Sequence, residues 1–217
     1  DSGLAVIRDR KFHLVFNTGK ASHSRRSEHG HNDLLSLSLE IDGAPLIIDA
    51  GTHCYSSDLK IANRIRSATY HNTATIDDHE RDILIGENFS NIKEKNVPHI
   101  ELWANLKNQA VVSASFNGYG KYDNIIKHKR TLLASIEDNS ILILDEFSGN
   151  DTSNHNYKIR FLAPYENAFR QNDATVRINR NNSQFFAFKS LSINPAAISI
   201  KPLDYFPSYG LKRPASM

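Results

Sequence analysis

Leu35-Ser36-Leu37-Ser38-Leu39-Glu40-Ile41-Asp42-Gly43-Ala44-Pro45-Leu46-Ile47-Ile48-Asp49 sets the fold class. Leu35, Leu37, Leu39 and Ile41 alternate with Ser36, Ser38 and Glu40, the period of a strand with one buried face. Asp42-Gly43 is a hairpin turn signal, and residues 45–49 are the returning strand. Upstream, residues 4–7 and 11–16 read as two short strands joined by Arg8-Asp9-Arg10. Downstream, residues 56–66 are the one helical stretch, with Ser57 or Asp58 as cap and Leu59, Ala62 and Ile65 at helical spacing. Strand patterns follow at 74–76, 99–106, 110–116, 125–136, 140–147, 157–162, 174–178, 184–189 and 197–200, separated by turn formers such as Glu137-Asp138-Asn139. Many short strands without a βαβ rhythm imply an all-β protein, an antiparallel β-sandwich with at most one short helix, and residues 1–217 as a single domain.

The composition suits that reading. A chain of 217 residues with 40% hydrophobic and 23% charged residues is long and apolar enough to bury a core. Its 26 basic and 24 acidic residues leave a formal charge of only +2, which gives no overall attraction for nucleic acid or an anionic membrane. No stretch approaches the roughly 20 apolar residues of a membrane span. Cys54 is the only cysteine, so an intrachain disulfide is excluded.

The chemistry-bearing residues precede the alternating strand. In His29-Gly30-His31-Asn32-Asp33, an extended backbone would place His29, His31 and Asp33 on one side. Imidazoles and a carboxylate together are the materials of a zinc site or an acid/base centre. Simple pairing about the Asp42-Gly43 turn sets Asp49 opposite Ser36, on the order of 16 Å from His31. Residues 29–33 must therefore fold back over the sheet if the two are to meet.

Taken in order, His29-x-His31-x-Asp33-x-x-Ser36, Ile48-Asp49-Ala50-Gly51-Thr52, Arg64-x-Arg66-Ser67 and His71-Asn72-Thr73 resemble the C-terminal β-sandwich domain of the heparinase II/III-like polysaccharide lyases. The similarity is close over residues 29–77 and looser through His128-Lys129-Arg130, Leu144-Asp145 and Arg160-Phe161-Leu162-Ala163-Pro164. The resemblance implies a structural zinc held by His31, Asp49 and His71. It implies β-elimination on a uronic-acid-containing polysaccharide, with His29 facing the cleft. Tyr55, past the Gly51-Thr52 turn, is the candidate proton-transfer tyrosine, and Arg66 and Asn72 are the candidate substrate-binding residues.

The family also carries an N-terminal helical toroid that supplies the other wall of the cleft. This chain is therefore expected to be the C-terminal part of a longer protein, with the toroid and an acidic polysaccharide as partners and a periplasmic or secreted location. Glu28 departs from the small residue expected before the first histidine, and its charge opposes an acidic sugar unless Arg25 or Arg26 pairs with it. A second reading is a non-catalytic module that binds acidic glycans or assembles capsule or exopolysaccharide. A cupin-like metal enzyme ranks last, because that motif expects a glutamate shortly after the second histidine, where Leu35 and Ser36 stand. Trp103 and the cluster Phe185, Phe186 and Phe188 are expected in the core.

Overall fold

The structure is a computed structural model describing residues 3–20, 30–55, 57–79, 97–119, 126–138, 140–150, 153–164, 168–172, 175–179, 185–191 and 197–217. Four strands come first: β1 (Leu4–Arg8), β2 (Phe12–Asn17), β3 (Leu37–Ile41) and β4 (Ala44–Ile47). Helix α1 (Leu59–Ile65) and a 3-10 turn (Ala68–Tyr70) lead into β5 (Ala74–Ile76). Next are β6 (His99–Leu106), β7 (Gln109–Gly118), β8 (Ile126–Ser135), β9 (Ser140–Gly149) and β10 (Tyr157–Ile159). The chain closes with β11 (Ala168–Asn172), β12 (Thr175–Asn179), β13 (Phe185–Lys189), β14 (Pro202–Ser208) and β15 (Leu211–Ser216).

Two four-stranded antiparallel meanders, β1-β2-β3-β4 and β6-β7-β8-β9, form the sandwich. Its core joins Ile7, Leu14, Phe16, Leu37, Leu39 and Ile47 of the first sheet to Val112, Ala114, Phe116, Ile126 and Leu132 of the second. Each of these side chains other than that of Ala114 contributes roughly 1.5–3 kcal/mol through burial. The expected hairpin is present, with Leu39 opposite Ile47 and Ile41 opposite Ala44, and a bulge between Leu39 and Glu40. Its first strand starts at Leu37 rather than Leu35. Leu35 takes a left-handed backbone, φ 56°, in a turn closed by Ser36 N–H donating to the Asp33 carbonyl at 2.9 Å. That turn supplies the fold-back that the strand arithmetic required.

Helix α1 starts at Asp58, whose Oδ1 accepts from Ile61 N–H at 3.0 Å, and it buries Ala62 and Ile65. Ile65 joins a second cluster with Ala50, Tyr70, Leu162, Phe206 and Ala215, beneath the β14–β15 hairpin. Among the described residues no helix is long and apolar enough to cross a membrane.

Several expectations change. Residues 197–200 form no strand, whereas β14 and β15 do despite Pro202, Pro207 and Pro214. Proline removes a ladder donor, but a two-stranded hairpin with a bulge between Tyr205 and Ser208 has unpaired edges where none is needed. Strand β11 was not read from the sequence either. Trp103 is 47% exposed on the edge strand β6 and not in the core. The side chains of Phe185, Phe186 and Phe188, and the whole of His29, lie outside the described residues.

Candidate functional site

The motif segments, far apart along the chain, meet at His71. Its Nδ1 lies 2.8 Å from Asp49 Oδ2 and its Nε2 lies 3.1 Å from His31 Nδ1. Because an ionised carboxylate only accepts, His71 Nδ1 carries the proton given to Asp49, and its Nε2 then presents a lone pair toward His31. His71 is fully buried. Asp49 also accepts from Gly51 N–H at 2.8 Å through Oδ1. Desolvation opposes the Asp49 charge, but His71, the Gly51 N–H and His31 outweigh it and hold the pKa down at about 2.

Each residue of His71-Asn72-Thr73 has its own partner. Thr73 Oγ1 donates to the Leu34 carbonyl at 2.7 Å. Asn72 is 1% exposed. Its Nδ2 donates to the carbonyls of Leu37 and Ile48 at 2.8 and 2.7 Å, and its Oδ1 accepts from Leu162 N–H at 2.6 Å. The amide thus ties β3, the end of the hairpin and the segment after β10 together. Arg66 is likewise inside the protein, 3% exposed, with Nε donating to the Gly30 carbonyl at 2.7 Å. Its own carbonyl accepts from Asn32 N–H at 2.8 Å, and burial lowers its pKa. Of the two candidate substrate-binding residues, Arg66 thus holds the backbone at Gly30 and Asn32, and Asn72 holds it at Leu37, Ile48 and Leu162.

Tyr55 stands 39% exposed on the loop that follows Asp49. Its ring stacks on Tyr209 with centroids 5.7 Å apart. Asp33 points elsewhere than the His71 cluster, accepting from Asn17 Nδ2 at 2.9 Å.

The arrangement also bears on the expected zinc. A tetrahedral zinc with Zn–N bonds of about 2.0–2.1 Å spans two nitrogens about 3.4 Å apart. The 3.1 Å between His31 Nδ1 and His71 Nε2 is close to that span. Asp49 sits on the opposite nitrogen of His71, the position of a carboxylate that orients a metal-binding histidine. Among the described residues no three His, Cys, Asp or Glu side chains converge on one point. The donors therefore suit an ion between the two imidazoles, with Asp49 behind His71 and not as a third converging ligand.

A buried ionic cluster beneath the site escaped the sequence reading. Arg130 forks onto Asp145, Nε to Oδ1 at 2.7 Å and Nη2 to Oδ2 at 3.0 Å, and its Nη1 reaches the carbonyls of Leu35 and Asn72. His128 Nε2 meets Asp145 Oδ1 at 2.7 Å, and its ring stacks on Phe147. Desolvation works against the Asp145 charge, but Arg130 and His128 hold its pKa well below the usual carboxylate range. Burial, against the pull of Asp145, lowers the pKa of His128. The signal was present in β8, where His128 and Arg130 occupy the inward face between Ile126 and Leu132.

Comparison with known proteins agrees with this architecture. No curated protein matches the chain. The crystal structure of heparan sulfate lyase HepC from Pedobacter heparinus superposes with a TM-score of 0.77 at 20% identity, covering 100% of this chain and 32% of that one. The crystal structure of heparinase III superposes with a TM-score of 0.72 at 18% identity, again covering 100% of this chain and 32% of the other. The chain thus spans about a third of the length of these structures, and the likeness is one of fold. The family model for heparinase II/III-like C-terminal domains matches residues 1–217, and the chain belongs to that family.

Proposed function

We propose that this chain forms the β-sandwich wall of a polysaccharide lyase acting by β-elimination on a uronic-acid-containing polysaccharide. In that reaction a base removes the proton beside the uronate carboxyl group and an acid protonates the departing glycosidic oxygen. The demanding step is carbanion formation, which requires the carboxylate charge to be offset by nearby donors. The observation that carries this reading is the Asp49–His71–His31 series, which gathers the family's motif segments beside Gly30.

On this chain His29, the residue before Gly30 in the sequence, is the one assigned to the carboxylate or the proton. Tyr55 offers an exposed phenol for proton transfer. Arg66 and Asn72 serve by fixing the loops rather than by touching sugar. Zinc, held by His31 and His71 with Asp49 orienting His71, would act as a structural tie between these loops. The toroid expected from the family would supply the opposite wall.

The test is ultraviolet absorbance of the unsaturated product when the full-length protein meets a panel of uronate polysaccharides that includes heparan sulfate. A rise that disappears in His29→Ala supports the assignment. No rise with any acidic polysaccharide, despite measurable binding, assigns the chain to a non-catalytic glycan-binding or assembly module.

A further inference from the structure

Tyr55 and Tyr209 stack with their planes 22° apart and remain open to solvent, at 39% and 64% exposure. They come from separate parts of the chain, the loop after Asp49 and the turn between β14 and β15. Backbone contacts beneath the rings hold the two segments together. Phe206 N–H donates to the Ala50 carbonyl at 2.8 Å, and Gly210 N–H donates to the His53 carbonyl at 3.1 Å. Gly51 pairs with Phe206, at φ +73° and so close that a Cβ would lie 2.0 Å from the Phe206 carbonyl oxygen. Only glycine permits that approach. The rings of His53 and Phe206 pack at 4.7 Å. The backbone on both sides of Tyr209 is thus anchored, through Phe206 and Gly210, which keeps its ring beside Tyr55.

We propose that Tyr55 and Tyr209 form a sugar-stacking subsite that takes the C–H face of a pyranose ring of the acidic polysaccharide. The identity of the ligand rests on the lyase reading above. A pyranose carries C–H groups on its faces and hydroxyls at its rim, and tyrosine complements both with an apolar ring and a polar tip. The same hairpin carries two exposed cations, Lys212 and Arg213, against the single carboxylate of Asp204, which pairs with Lys212 at 2.8 Å. That surplus favours an acidic chain over a neutral one. The loop that carries Tyr55 begins at Asp49, the partner of His71, so the subsite and the His71 cluster share one segment of chain.

The experiment measures KM and kcat on heparan sulfate for the full-length protein, its Tyr209→Ala variant and its Tyr209→Trp variant, with electrophoresis of each through a gel containing heparan sulfate. Tyr209→Ala is expected to raise KM about tenfold, the equivalent of one stacking contact, with a much smaller effect on kcat and loss of retardation in the gel. Tyr209→Trp restores both. An unchanged KM and wild-type retardation in Tyr209→Ala overturn the subsite. If the wild-type protein gives no absorbance rise with heparan sulfate or any other polysaccharide of the uronate panel, the lyase reading fails and the gel alone decides. Retarded wild type with unretarded Tyr209→Ala then supports the subsite, and equal mobility overturns it.

Discussion

Arg130 Nη1 donates to the backbone carbonyl of Asn72, so a side chain of β8 in the second sheet grips the residue next to His71 in the first site loop. The same nitrogen reaches the Leu35 carbonyl at 2.7 Å, at the turn that folds the His-x-His segment back. One guanidinium therefore fixes both loops relative to each other. Asp145 balances its charge inside the protein, at 5% side-chain exposure.

Asp145→Asn leaves Arg130 buried with its charge uncompensated. The expected cost is about 3–5 kcal/mol of unfolding free energy, measured by urea denaturation. A loss below about 1 kcal/mol would show that water or another group already serves Arg130, and the staple described above would fall.

Asn72→Ala deletes three hydrogen bonds to backbone groups in the interior. With roughly 1–3 kcal/mol for each of the three buried groups left unpaired, a total of at least about 3 kcal/mol is expected. Asn72→Asp keeps the shape but turns an acceptor toward the Leu37 and Ile48 carbonyls, and should also destabilise. Thermal melting checks both. Wild-type melting with reduced substrate affinity would return Asn72 to a substrate-contacting role.

Zinc content and thermal stability are expected to fall together in His31→Ala and His71→Ala, because metal binding at a structural site is folding free energy. His29→Ala should retain its zinc. Asp49→Asn should bind more weakly, by about 10–100-fold, since the histidine loses its orienting carboxylate. Elemental analysis and zinc titration read these outcomes, and equal zinc in all four variants refutes the division of roles.

Acid should weaken the fold in two stages. The folded-state pKa of His128 is lowered, so the unfolded chain takes up its proton first, and stability present above about pH 6.5 declines as pH falls below it. Asp49 is lowered from 3.8 to about 2, so its contribution is complete above about pH 4 and disappears as pH falls toward 2. His128→Gln should flatten the stability profile just below about pH 6.5 while leaving the lower stage in place. The same slope in variant and wild type would remove His128 as its source.

The sequence by itself determined the β-sandwich, the hairpin about Asp42-Gly43 and a short helix capped at Ser57 or Asp58, because alternation, turn chemistry and capping act over a few neighbouring residues. The resemblance to the heparinase II/III-like family, carried by the motifs of the sequence, singled out His31, Asp49 and His71 as a group. Only the tertiary structure decided how they meet, with His71 in the middle, and that Asn72 and Arg66 face inward. A polar side chain beside a site motif reads alike whether it points to solvent or to a carbonyl thirty residues away. Which it does depends on the turn at Leu35 and on the second sheet's Arg130, and neither the long-range hydrogen bonds nor the register that sets them is written in any local stretch of the chain.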